Sequence, residues 1–268
     1  MADRDARALA ARYWFGYGRW DAPYWFVGME PGGEDDPAWY ETWQELDPKR
    51  QGLIDCRDHH QRAAASDPRA VTPWHRNSQT PIQETWGPLI RTLLMFEGRP
   101  VTESDIARYQ RDEWGSLHGD TALIELSALR ASGLAKKNGA RKLYRGERIG
   151  DIRSHLDRKA RRGFALFYGL TYKKDYAEIA GSFGSDGYVW NGQTLCVLVV
   201  HPAYHYAPLE ALTAYWVELA AWLRTAVEAG PVLPPLTRPP LPPVPLRRRP
   251  RARAAGDSSA VLKAADAG

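Results

Sequence analysis

Apolar positions along this chain repeat with two different periods, and the places where one gives way to the other outline its elements. Residues 3–17 are rich in Ala and Arg, with apolar positions at helical spacing. Tyr24-Trp25-Phe26-Val27 is a short apolar run closed by Gly28 and then Pro31-Gly32-Gly33, the pattern of a buried strand and its turn. Residues 35–80 carry few regular signals and several prolines, which predicts long loops with short helical pieces; loops of that length are often functional. At 85–96 the helical period returns, with Trp86, Leu89, Ile90, Leu93 and Leu94 on one face and Gly98 and Pro100 as the stop.

The second half follows the same rhythm. Residues 122–126 predict a second strand, 149–162 an amphipathic helix, 164–168 a third strand stopped by Gly169, and 174–180 a short helix. The strongest strand is 194–200, a continuous apolar run of the kind a parallel sheet buries on both faces, and it leads into His201-Pro202. A long helix spans 209–228, its stripe formed by Leu212, Tyr215, Trp216, Leu219 and Leu223. Strands alternating with helices predict an α/β fold, three layers α/β/α around a central, mostly parallel four-stranded sheet.

Composition changes abruptly after Gly230. Residues 231–268 are a Pro/Arg-rich tail that cannot build a core and is expected to be disordered, so residues 1–230 form the folded domain. The tail holds seven Lys/Arg against two Asp, a net +5, which leaves the body near −1 out of the chain's +4. It is either a simple terminus or a nonspecific electrostatic tether for a polyanion. Within the body, residues 136–162 hold eleven Lys/Arg against three acids, among them Lys136, Lys137, Arg141 and Arg145. That excess suits a polyanion and equally suits a solvated helix face.

The remaining composition narrows the class. No apolar run approaches the roughly 20 residues that span a bilayer, and the first residues lack an apolar signal core, so a cytoplasmic protein without a membrane partner is expected. Two cysteines, Cys56 and Cys196, make neither a disulfide framework nor a four-cysteine cluster. Cys56, His59 and His60 have no second ligand cluster at metal spacing, and no metal is expected. Eleven Trp and thirteen Tyr can stack on bases, though most are expected simply to pack the core.

Open α/β sheets bind ligands beyond the carboxyl ends of their strands. Those ends carry unusual polar groups here. The first delivers Gly28-Met29-Glu30-Pro31-Gly32-Gly33-Glu34, the second Glu125 and Ser127, the third Tyr168-Gly169, and the fourth His201-Pro202-Ala203-Tyr204-His205.

In order and spacing, these motifs resemble the uracil-DNA glycosylase superfamily over about residues 22–228. Gly28–Glu34 after an apolar strand looks like the family's water-activating loop, an acidic residue within Gly-x-x-Pro. Val199-Val200-His201-Pro202 looks like its His-Pro loop, and Leu166-Phe167-Tyr168-Gly169 like the apolar strand that precedes it. The resemblance implies a monomeric DNA glycosylase with no cofactor, acting on a base flipped out of DNA. Glu30 would orient water and stabilise an oxocarbenium-like sugar, and His201 would donate a hydrogen bond to the departing base. Gly28, Met29, Pro31, Gly32, Gly33, Glu34, Glu125, Tyr168 and Pro202 would line the base pocket. Tyr204 would wedge into the duplex, with His205 and Lys136, Lys137, Arg141 and Arg145 on the DNA.

The chain departs from the family at Glu125, where an Asn that reads uracil would stand. A carboxylate accepts from an exocyclic amino group such as cytosine N4 and repels uracil O4, which favours a cytosine-type or modified base. Modified cytosines occur in phage genomes, so anti-phage defence is an expected setting beside DNA repair. Bland roles remain for each residue: Glu30 as a turn carboxylate, His201 as a structural histidine, Glu125 as a buried carboxylate, Tyr204 as packing on the last helix. Two other functions stand beside the first, a noncatalytic binder of modified bases on the same fold and a hydrolase of small nucleosides.

Overall fold

A computed structural model describes residues 2–29, 31–33, 35–66, 81–130, 142–158, 163–203, 207–231, 237 and 239–240. Eight helices among these residues are α1 (Ala2–Tyr13), α2 (Pro37–Leu46), α3 (Cys56–Ser66), α4 (Trp86–Phe96), α5 (Glu103–Asp112), α6 (Arg145–Asp157), α7 (Lys173–Ala180) and α8 (Leu209–Ala229). Seven strands are β1 (Gly16–Gly18), β2 (Tyr24–Gly28), β3 (Leu53–Ile54), β4 (Thr121–Glu125), β5 (Gly163–Tyr168), β6 (Tyr188–Asn191) and β7 (Thr194–Val199). The predicted disordered tail lies outside the described residues apart from 231, 237 and 239–240.

The sheet is mixed and seven-stranded, in the order β3-β1-β4-β2-β5-β7-β6, rather than the predicted four strands. β2 runs parallel to both β4 and β5, and β5 runs parallel to β7; β1 joins β4 and β6 joins β7 in antiparallel sense. The three added strands lie toward the sheet's edges and are two to four residues long. Gly16-Tyr17-Gly18 reads locally as a turn, and so few residues cannot show a period; tertiary pairing decides them.

Helix boundaries shift for similar reasons. α1 ends at Tyr13, four residues before its predicted end, because Phe15 donates to the Gly52 carbonyl (2.6 Å) and the chain turns into β1. The stretch 35–80 contains α2 and α3, two full helices rather than short pieces, and α5 had no predicted counterpart. α5 is capped by a reciprocal pair, Thr102 with Asp105, and exposes a strongly polar face that dilutes its apolar stripe of Ile106 and Tyr109.

Alternation along the central strands divides the core into two. Phe164, Leu166 and Tyr168 of β5 face one apolar cluster, while Ala165 and Phe167 face the other. Helices α1 to α5 and α8 complete the first cluster; α6 and α7 complete the second. Every residue of β5 and β7 is buried, which is why their sequences run continuously apolar.

This split shapes the carboxyl ends of the strands. The chain leaving β2 passes through α2 on one face, and the chain leaving β4 passes through α6 on the other. β2 and β4 are neighbours, so their connections part at their carboxyl ends, a topological switch point of the kind where open sheets form a ligand crevice.

Candidate functional site at the strand ends

Register brings the predicted residues of β2 and β4 together. Gly28 pairs directly with Glu125, and the pairing continues past the strands: Leu126 N–H donates to the Gly28 carbonyl (3.0 Å) and Ser127 N–H to that of Met29 (2.6 Å). Met29 and Pro31 are buried, Gly33 is half-buried and Gly32 is exposed, so the loop after β2 dips in and returns to the surface. Glu30 and Glu34 lie outside the described residues.

β5 contributes the bridge to β7. Tyr168 is 8% exposed, and its phenol lies over the Gly28 backbone, where an added Cβ would fall 2.2 Å from the hydroxyl oxygen. Only glycine tolerates so close an approach. The same ring meets the His201 imidazole edge to face, centroids 5.6 Å apart at 72°. Burial pushes the Tyr168 hydroxyl's pKa well up, with Glu125 and Tyr176 adding to the effect, so it stays a neutral donor. Thus Gly28, Glu125, Tyr168 and His201 meet at one end of the sheet.

His201 is exposed and Pro202 behind it is buried. The Ala203 N–H donates to His201 Nδ1 (3.2 Å), which in the neutral ring puts the proton on Nε2. Tyr204 and His205 lie outside the described residues. Just beyond them, Leu209 at the start of α8 is 79% exposed, an apolar side chain held in solvent.

Glu125 is half-buried, with its Oε2 shielded from solvent. Its charge bears on Tyr17, Tyr168, Tyr176 and Arg148, which marks it as a central electrostatic group of this end. Arg148 belongs to the basic run 136–162, yet it is 1% exposed. Its Nη2 donates to the Glu125 carbonyl (2.6 Å), its Nε to that of Leu126 (2.8 Å), and its Nη1 to that of Ala11 (3.4 Å). The guanidinium stacks on Phe15, Cζ 4.3 Å from the ring centroid. Burial lowers its pKa, and Glu125 and Asp151 oppose that effect. A signal was present: Arg148, Ile152 and Leu156 share one helical face.

The rest of the basic run is divided. Arg145 is ion-paired with Asp175, and Arg153 reaches Asp157 at 3.8 Å. Lys136, Lys137 and Arg141 lie outside the described residues. On the face covered by α2 and α3, His59 and His60 are buried with Tyr17. His59 Nε2–H donates to the Trp39 carbonyl (2.9 Å), which leaves Nδ1 to accept from the Tyr17 hydroxyl (3.0 Å). No group of three His, Cys, Asp or Glu among the described residues could hold a metal ion. Cys56 belongs to one apolar cluster and Cys196 to the other, on opposite sheet faces. Among the described residues no helix is long and apolar enough to cross a membrane.

Compared with protein-family models and with curated proteins, the chain finds no match.

Proposed function

We propose that this chain is a monofunctional, metal-independent DNA glycosylase with a uracil-DNA glycosylase-like site, working as a cytoplasmic monomer on a flipped cytosine-type or modified pyrimidine base. The observation that carries the reading is the meeting of Gly28, Glu125, Tyr168 and His201 where β2, β4, β5 and β7 end. A base entering there finds an acceptor in the Glu125 carboxylate, suited to an exocyclic amino group. It finds a donor in His201, whose Nδ1 already accepts from Ala203, which leaves Nε2–H to donate to a base oxygen. Glu30, two residues past Gly28, is the group for water and for the sugar.

The chemistry follows from these roles. The C1′–N bond breaks with its electron pair passing to the base, and the anionic base is held by the His201 donor. Positive charge gathers on the sugar and is countered by the Glu30 carboxylate. The oxygen of water then bonds to C1′, its proton passes through Glu30 to solvent, and the base takes a proton from solvent. An abasic site and a free base result. Leu209 and Tyr204 are the wedge candidates for the vacated stack.

Genomic DNAs carrying different natural base modifications provide the test, with released bases identified by mass spectrometry. The wild-type chain releases one class of base, and Glu30→Ala and His201→Ala each reduce release by at least about 100-fold. Full release by either variant overturns the assigned roles. Tight duplex binding without release by the wild type favours the noncatalytic binder, and release only from free nucleosides favours the small-molecule hydrolase.

A further inference from the structure

One arginine that sequence reasoning did not single out spans the crevice between the loops after β2 and β4. Arg130 is 6% exposed. Its Nε donates to the Gly32 carbonyl (3.0 Å), and its guanidinium lies 4.1 Å from the centroid of the Trp39 ring at the start of α2. Gly33, at φ +110°, faces it so closely that a Cβ there would fall 2.0 Å from Nη2. The Arg130 backbone N–H donates to the Tyr40 hydroxyl (3.2 Å); Tyr40 in turn donates to Asp35 (2.5 Å), which Arg7 grips at 2.8 Å. The side chain therefore fixes Gly32 and Gly33, and the backbone fixes the helix that follows them.

Among the described residues no carboxylate forms an ion pair with Arg130. Burial lowers its pKa, and Tyr17, Tyr40, Asp36 and Asp35 oppose that effect. What it delivers instead is geometry: a planar cation that stacks on an indole while its edge reaches a chosen carbonyl. Lysine is a point charge on a flexible stem and cannot do both.

We propose that Arg130 is a positioning residue that locks the loop after β2 to the loop after β4 and thereby sets where Glu30 stands. The proposal rests on the glycosylase reading. Glu30 stands two positions before Gly32, and the reach of two residues keeps their Cα atoms within about 7 Å, so the segment that carries the proposed water-activating carboxylate is tethered to Gly32. The base-reading Glu125 lies five residues before Arg130 on the other side of the same crevice. One guanidinium thus couples water activation to base reading.

Three measurements on the full chain test this. Arg130→Lys lowers kcat for base release about 100-fold, as expected of a catalytic group misplaced by an ångström, while KM and duplex affinity stay within about twofold. Arg130→Ala regains part of its kcat when guanidinium ion is added and none when ammonium is added. Amide exchange at Gly32 and Gly33 rises at least about tenfold in Arg130→Lys with little change in thermal midpoint. Unchanged kcat and exchange in the lysine variant overturn the proposal. So does a rise in KM at constant kcat, or a loss of kcat that follows the loss of thermal stability and ignores guanidinium. If the wild type releases no base from any DNA, the glycosylase reading falls, and the exchange measurement alone still decides whether Arg130 holds the loop.

Discussion

A single methyl group at position 28 is enough to break the close packing of the candidate site. In Gly28→Ala the new carbon meets not only the Tyr168 hydroxyl at 2.2 Å but two ring carbons at 2.5 and 2.7 Å. The ring is buried and clasped against His201, so it cannot yield without moving the imidazole. The expected result is a loss of about 1–3 kcal/mol in unfolding free energy, together with at least a tenfold fall in base release; a variant with wild-type stability and release refutes this packing account. His59 supports a second residue-scale prediction. Burial, aided by Arg130 and opposed by the Trp39 carbonyl, brings its pKa down to about 3, against about 6.5 unfolded. The unfolded chain then binds the extra proton between those values, so stability falls with decreasing pH by about 1.4 kcal/mol per unit from pH 6.5 toward 3 and is unaffected by this group above 6.5. Urea unfolding across that window shows the slope. His59→Asn, which keeps a donor and an acceptor, shows a slope about one proton shallower, and identical slopes refute the assignment. Of the candidate residues read from sequence, Gly28, Tyr168 and His201 are, or adjoin, Gly or Pro at strand ends, and Glu125 closes an apolar run, signals that are all local. Arg130 and Arg148 stayed hidden because their roles depend on carbonyls 98 and 22 to 23 positions away.

Whether an element could be read from sequence depended on its length and on how many of its faces are buried. β5, β7, α4 and α8 lie within a residue of their predicted bounds, because long apolar runs and wide apolar stripes leave one solution. β1, β3 and β6 owe their existence to the neighbouring strand, and α5 carries so much surface charge that its stripe is faint. α6 shows what such context adds. Its basic sequence suggested an exposed face, yet Arg148 turns inward and caps the carbonyls where β4 ends, beside the pairing that joins β4 to the loop after β2. Arg148→Met preserves the apolar bulk but strips donors from the carbonyls of Glu125 and Leu126. Two buried acceptors without partners predict a loss of about 3 kcal/mol, measurable as a lower urea midpoint at unchanged m. A midpoint equal to the wild type's would mean that water replaces the guanidinium and that α6 does not brace the end of β4.

At the scale of the whole molecule, charge is divided between a nearly neutral body and a basic tail, and the structure sharpens that division. Of the body's basic run, Arg148 is buried among backbone carbonyls and Arg145 and Arg153 are matched by Asp175 and Asp157. Arg12, at the end of α1, reaches Glu147 at 3.2 Å. Less positive charge is therefore left for a phosphate backbone than the sequence count suggests, while residues 231–268 retain seven Lys/Arg against two Asp. On the proposed glycosylase reading, nonspecific affinity for duplex DNA depends chiefly on the tail, and chemistry on the strand ends. Truncation after Gly230 should weaken duplex binding and flatten its salt dependence, by up to about 6 in the slope of log K against log salt if all seven cations meet phosphates. The base-release rate on a saturating short duplex should stay at the full chain's value. An unchanged salt slope would place the electrostatic contacts on the body after all, and a loss of rate at saturation would mean that the tail reaches the site itself.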